Sequence, residues 1–76
     1  MYRVIAGKVY DTETAQIVKK VTFSYFGDPN GYEETLYQIP SGHYFLYTNG
    51  GATSKYTKER MRRISAVNAK IWLENN

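Results

Sequence analysis

Apolar and polar side chains alternate along three stretches in the middle of the chain. They are Val21-Thr22-Phe23-Ser24-Tyr25-Phe26, Glu34-Thr35-Leu36-Tyr37-Gln38-Ile39 and His43-Tyr44-Phe45-Leu46-Tyr47-Thr48. A period of two marks a strand with one buried face, because successive side chains project to opposite sides. Gly27-Asp28-Pro29-Asn30-Gly31 separates the first pair and Pro40-Ser41-Gly42 the second. Proline presets one backbone dihedral and Asn-Gly supplies positive φ, so both connections read as turns. The expected product is a three-stranded antiparallel meander, closed by Asn49-Gly50-Gly51.

The flanks add shorter elements. Arg3-Val4-Ile5 and Lys8-Val9-Tyr10 are β-rich and separated by Ala6-Gly7, the spacing of a tight hairpin. Asp11 or Thr12 then offers an N-cap, Glu13 falls in a favourable first turn, and Lys19-Lys20 suit a C-terminal end. This predicts a short helix of about two turns with Ala15, Ile17 and Val18 as its apolar side, held by tertiary packing. Beyond the meander, 52–60 has little apolar content and reads as an exposed loop or an irregular turn of helix, and Met61-Arg62-Arg63-Ile64 as an edge strand. Ser65 caps a final helix in which Ala69, Trp72 and Leu73 share one face, flanked by Ile71 and Val67, with Trp72 expected to be buried and with Ile64 and Ala69 placed for a hydrophobic staple. The fold class is therefore α+β. A small antiparallel sheet is made of the meander, an N-terminal hairpin and an edge strand. The C-terminal helix packs on one face, and a short N-terminal helix completes a single domain over 1–76.

Composition narrows the chemistry. A chain of 76 residues has a thin core, burying only about 60–65% of the surface its unfolded form exposes. It has no cysteine, which removes disulfides and thiolate metal sites and fits a reducing compartment. No apolar run approaches the length of a membrane span, and Met1 to Lys8 lacks the apolar stretch of a signal peptide, so a cytoplasmic location is expected. Eight tyrosines against three Phe and one Trp are too many for a dry core, so part of the set belongs at the surface. The net charge of +3 is uneven. Residues 1–54 hold four cations and five acids, a net of −1, whereas 55–76 hold six cations and two acids, a net of +4. This balance excludes a carboxylate-covered mimic of nucleic acid.

Several segments taken together resemble a family of small proteins from bacterial phages and integrative elements. They are Gly7-Lys8-Val9-Tyr10-Asp11-Thr12-Glu13-Thr14-Ala15, Glu34-Thr35-Leu36-Tyr37, Gly42-His43-Tyr44-Phe45-Leu46, Gly50-Gly51 with Ser54-Lys55-Tyr56, and Ala69-Lys70-Ile71-Trp72-Leu73-Glu74. The resemblance covers most of the chain in short words. It implies a mobile-element setting, in which small single-domain proteins often inhibit host defence, anti-CRISPR proteins among them. The family's final helix usually opens with acidic residues. Here it opens with Ala66-Val67-Asn68 after Arg62-Arg63, a more basic entrance.

Catalytic signals are weak. His43 is the only histidine and reads as an ordinary strand residue rather than a general base. Glu33 and Glu34 are adjacent on a strand, point to opposite faces and cannot act as a carboxylate pair. No catalytic residues, metal ligands or cofactor are assigned. Gly50-Gly51-Ala52-Thr53-Ser54-Lys55 lacks the spacing of a phosphate-binding loop and reads as a turn.

The basic run carries the strongest functional signal. Lys55, Lys58, Arg60, Arg62 and Arg63 place five cations in nine residues around Tyr56, with only Glu59 opposing them. Such a field attracts phosphates or an acidic protein surface; the bland account is a solvated loop that keeps the domain in solution. The second signal is the tyrosine set of the meander, Tyr25, Tyr37, Tyr44 and Tyr47, with Tyr32 beside it. If Leu36 and Phe45 point inward, Tyr37, Tyr44 and Tyr25 form an open aromatic strip, the residue type favoured at interfaces. The alternative is a sheet covered on both faces with the tyrosine ring bodies in the core, and two helices are few to cover both. The expected function is a non-enzymatic protein-binding module, an anti-CRISPR-like inhibitor that occludes a host protein or ribonucleoprotein complex. The alternative is a small nucleic-acid-binding or regulatory protein using the same basic loop and tyrosines. Pairing of edge strands into a homodimer is compatible with either.

Overall fold

The computed structural model describes residues 2–5, 7–24 and 28–76. Its elements are β1 (Tyr2–Ile5), β2 (Lys8–Asp11), β3 (Gln16–Phe23), β4 (Tyr32–Gln38), β5 (Tyr44–Gly50), β6 (Arg60–Ile64) and α1 (Ala66–Asn75). β1 and β2 pair antiparallel with Ile5 opposite Lys8, as a two-residue connection requires. Gly7 sits there at φ +77°, where a side chain would be strained. Ala6, the other half of the expected turn, lies outside the described residues.

The expected N-terminal helix is not formed. Asp11 does supply the predicted capping chemistry: Glu13 N–H donates to its Oδ1 at 2.9 Å, and Ala15 N–H donates to its carbonyl at 2.9 Å. That is one turn, and it stops. Ile17, Val18, Val21 and Thr22 are β-branched and lose χ1 freedom in a helix. The extended form instead registers against β4 at seven positions, from Gln16 opposite Gln38 to Phe23 opposite Tyr32. The register shifts between Ile17 and Lys19, and this bulge disguises the strand's first half in the sequence.

The meander gains β6 as its fourth strand, giving the antiparallel order β3-β4-β5-β6. The pairing settles which side chains share a face. Leu36 stands opposite Leu46, and Tyr37 opposite Phe45. Leu36 and Phe45 therefore point to opposite faces, and each face carries its own core.

On one side, Leu36, Leu46 and Ala69 are buried, with Tyr44, Ile64, Trp72 and Leu73 packed around them. Ser65 starts α1 as predicted, its Oγ accepting from Asn68 N–H at 3.1 Å. Ala69 is the fully buried helix residue; Trp72 is half-buried rather than enclosed. On the other side, Phe45, Tyr37, Ile39 and Met61 are covered by Tyr10 from β2. The Tyr10 ring meets Phe45 edge-on at 5.8 Å, and Tyr37 stacks on Phe45 at 4.9 Å. Burying such side chains contributes roughly 1.5–3 kcal/mol each, so the hairpin is part of the core.

This corrects the expectation of an open tyrosine strip. Tyr37 is only 9% exposed, and Tyr44 is half-buried on the opposite, helix-covered side. Tyr25, the third member of that strip, lies outside the described residues, as does Phe26 at the end of the predicted first strand.

Candidate functional site

The site is built where the chain leaves β5. A Cβ at Gly50 would come within 2.8 Å of the Tyr56 carbonyl oxygen, 2.9 Å of that of Gly31, and would collide with Ser54 Oγ. Glycine there lets residues 51–56 fold back over the end of the sheet. Gly51 N–H donates to Gly31 O at 2.9 Å, Thr53 N–H to Pro29 O at 3.0 Å, and Ser54 Oγ to Gly51 O at 2.8 Å. Gly50-Gly51 is thus a crossing point in a hydrogen-bonded turn.

The returning loop lays Tyr56 and Lys55 on the helix-covered face, just beyond α1. The Tyr56 hydroxyl donates to Glu34 Oε2, and the Trp72 indole N–H donates to Glu34 Oε1 at 2.9 Å. Lys55 Nζ lies 4.0 Å from the same carboxylate. Glu34 is 9% exposed. A carboxylate so placed needs donors, and these come from the loop and the helix. Burial first, then donation to Glu34 and the charge of that carboxylate, push the Tyr56 hydroxyl up to about 12. Glu33 points the other way, as strand alternation requires, and pairs with Lys20 at 3.2 Å.

An aromatic row extends outward from this anchor. The Tyr56 ring meets Tyr32 edge-on at 5.4 Å, and Tyr32 stacks on Phe23 at 5.1 Å with nearly parallel planes. Lys55 Nζ sits 5.9 Å from the Tyr32 ring centre and 5.4 Å from that of Tyr56, within cation–π range. Phe23, at the outer end, is 49% exposed.

The predicted site residues are divided by the fold. Lys55 and Tyr56 join the Glu34 cluster, and Lys58 is exposed in the loop. Arg60 and Arg62 stand opposite Thr48 and Leu46, on the same sheet face as Tyr56, while Arg63 stands opposite Phe45 on the other. All three arginines are exposed. Among the described residues the ion pairs are Lys20–Glu33 and Lys55–Glu34, so none of the three has a carboxylate partner. Glu59, the acid within the run, instead accepts from the Tyr47 hydroxyl at 2.8 Å. Burial and that contact push the Tyr47 hydroxyl up to about 12. Tyr37 shares the face of Arg63 and Tyr44 that of Arg60 and Arg62, so the two tyrosines stand on opposite faces and form no single strip.

Three contributors were missed by sequence reasoning: Glu34, Tyr32 as a stacking partner, and Phe23. The available signal was that Phe23 and Tyr32 bracket one turn and that Glu34 shares strand parity with Leu36. Among the described residues, no group of three His, Cys, Asp or Glu side chains is arranged to hold a metal ion. Nor is any helix among them long and apolar enough to cross a membrane. Comparison of the chain with protein-family models, with curated proteins and with solved structures finds no match in any of the three.

Proposed function

We propose that this protein is a non-catalytic binding module that meets an acidic protein surface with Arg60 and Arg62 of β6 and the aromatic row that shares their sheet face. The observation that carries the reading is the placement of Arg60 and Arg62. Both are exposed, without a carboxylate partner among the described residues, on the same sheet face as Tyr56, Tyr32 and Phe23. Arginine offers a planar fork that fits carboxylates in pairs, and Arg and Tyr are the side chains that dominate interface energetics. The row is held in place by Glu34, so less rotamer freedom is lost when a partner settles on it.

The resemblance to small phage and integrative-element proteins supports a finer statement. The partner is a host defence complex in the bacterial cytoplasm, and the module blocks its working surface sterically, as an anti-CRISPR protein does. The test is affinity capture from host lysate with the native chain and with an Arg60→Glu, Arg62→Glu, Arg63→Glu variant as bait. A stoichiometric protein retained by the native chain and lost by the variant is the expected result. Equal recovery by both baits would reduce the arginines to a solvated rim.

A second reading rests on Phe23. One side of its ring stacks on Tyr32 and the residue is half exposed, so a nucleic-acid base has a surface to stack on, with Lys55 close by for phosphate. Fluorescence polarisation with single- and double-stranded oligonucleotides at about 50 and 200 mM salt separates the readings. Binding that falls steeply with salt favours nucleic acid, and a flat response at the lower concentration ends it.

A further inference from the structure

We infer that a cleft on the other side of the sheet rim, between the N-terminal hairpin and the start of α1, binds the phosphate group of a small ligand. The cleft encloses about 360 Å³ and is lined by Lys8 and Tyr10 from β2, His43 just before β5, Tyr44 at the start of β5, and Arg63, Ile64 and Ser65 from the β6–α1 junction. Its charge is one-sided. No carboxylate is among the lining residues.

The fold forces the cations together. Side chains two apart on a strand share a face. Tyr10 is buried against Phe45, so Lys8 also turns toward the sheet and is half-buried. Arg63 stands opposite Phe45 in the β5–β6 register and projects to that same side. Arg3 fastens the hairpin to this rim, its Nη1 donating to Met61 O at 3.1 Å. Lys8 and Arg63 therefore line the same cleft, where one anion can accept from both.

The helix adds to the imbalance. α1 has no acidic residue in its first turn, so the positive end of its dipole opens at Ser65 without a counter-charge from the helix itself. Lys8 and Arg63 donate to oxygens, His43 offers a ring nitrogen at the exposed rim, and Tyr10 and Tyr44 form the walls. A tetrahedral anion bearing two charges and several acceptor oxygens answers this set better than a carboxylate. Arg63 also belongs to the variant used for partner capture, but Lys8 and His43 take no part in the proposed partner surface, so the cleft does not rest on that reading.

The test is a ¹H–¹⁵N correlation titration of the full chain with inorganic phosphate and, separately, phenyl phosphate, each against sodium chloride at matched ionic strength. The expected result is saturable shifts at Lys8, His43, Arg63 and Ser65 with phosphate and not with chloride. Lys8→Met keeps the aliphatic stem and Arg63→Gln alters an exposed position. Each should lower phosphate affinity by about tenfold, the loss of one charge-assisted hydrogen bond. Circular dichroism checks that both variants fold; Arg63→Gln carries the test if Lys8→Met does not. Tighter binding of phenyl phosphate identifies an ester as the source, and equal binding identifies the free anion. Non-saturating shifts matched by chloride, or affinity unchanged in the folded variants, would overturn the site. The titration reads phosphate alone, so its outcome stands apart from any result of partner capture.

Discussion

Replacing Glu34 with leucine takes away the acceptor that Tyr56 and Trp72 both use. A buried donor left without a partner costs roughly 1–3 kcal/mol. Both donors belong to half-buried residues, so water satisfies them in part and the lower end applies, about 2–3 kcal/mol for the two. Leucine offsets about 1 kcal/mol of this, because it has no charge to desolvate and buries apolar area on the face of Leu36 and Leu46. The net expectation is a destabilisation of about 1–2 kcal/mol, or a melting temperature lower by roughly 5–15 °C for a domain of this size. Trp72 is the only tryptophan, so its emission during urea unfolding reports the change from the affected contact. Glu34→Gln retains one acceptor and should lose less than half as much. Combining Glu34→Leu with Trp72→Phe, which keeps an aromatic ring but lacks the N–H, should show a coupling of about 1 kcal/mol. A leucine variant as stable as the parent, with no coupling to Trp72→Phe, would refute the reasoning and make Glu34 a bystander.

Other outcomes follow from the same contacts. Tyr37→Ala, at a residue stacked on Phe45, should cost about 3–4 kcal/mol in chemical denaturation, and a loss below about 1 kcal/mol would return Tyr37 to the surface. Gly50→Ala should cost about 1–3 kcal/mol through overpacking against the Tyr56 and Gly31 carbonyls; an unchanged melt would mean that the loop does not lie over the strand. The Tyr56 and Tyr47 hydroxyls hold their protons more tightly in the folded chain, near 12 against an ordinary 10.0. Their stabilising contribution is therefore complete below about pH 10 and is lost as pH rises through about 12. Urea midpoints measured across that window should fall, and Tyr56→Phe should flatten part of the fall; an identical slope in the variant would contradict the assignment.

What the sequence disclosed and what it hid divide along the range of the interactions. Gly7, Pro40-Ser41-Gly42 and the Ser65 cap act on backbone a few residues away, and the elements they bound were readable. The false helix came from a local signal that was real, since Asp11 does cap one turn. Continuation depended on β-branched residues whose alternation the bulge at Val18 had broken. The two faces were confused because Leu36 and Phe45 lie on different strands, and strand parity alone does not say which residues stand opposite. Glu34 was invisible as an anchor for a related reason. Its partners lie 22 and 38 positions away, and only the completed sheet brings them together.

The register shift beside Val18 also bears on how copies of the chain meet one another. β3 is an outer strand, and an unbroken outer strand offers a row of backbone groups that another molecule can extend. The bulge interrupts that row, and Lys19 beyond it brings like charges into opposition when two copies align. β6, the opposite rim, bears three arginines to the same effect. Each border of the sheet thus carries a feature that works against self-templating.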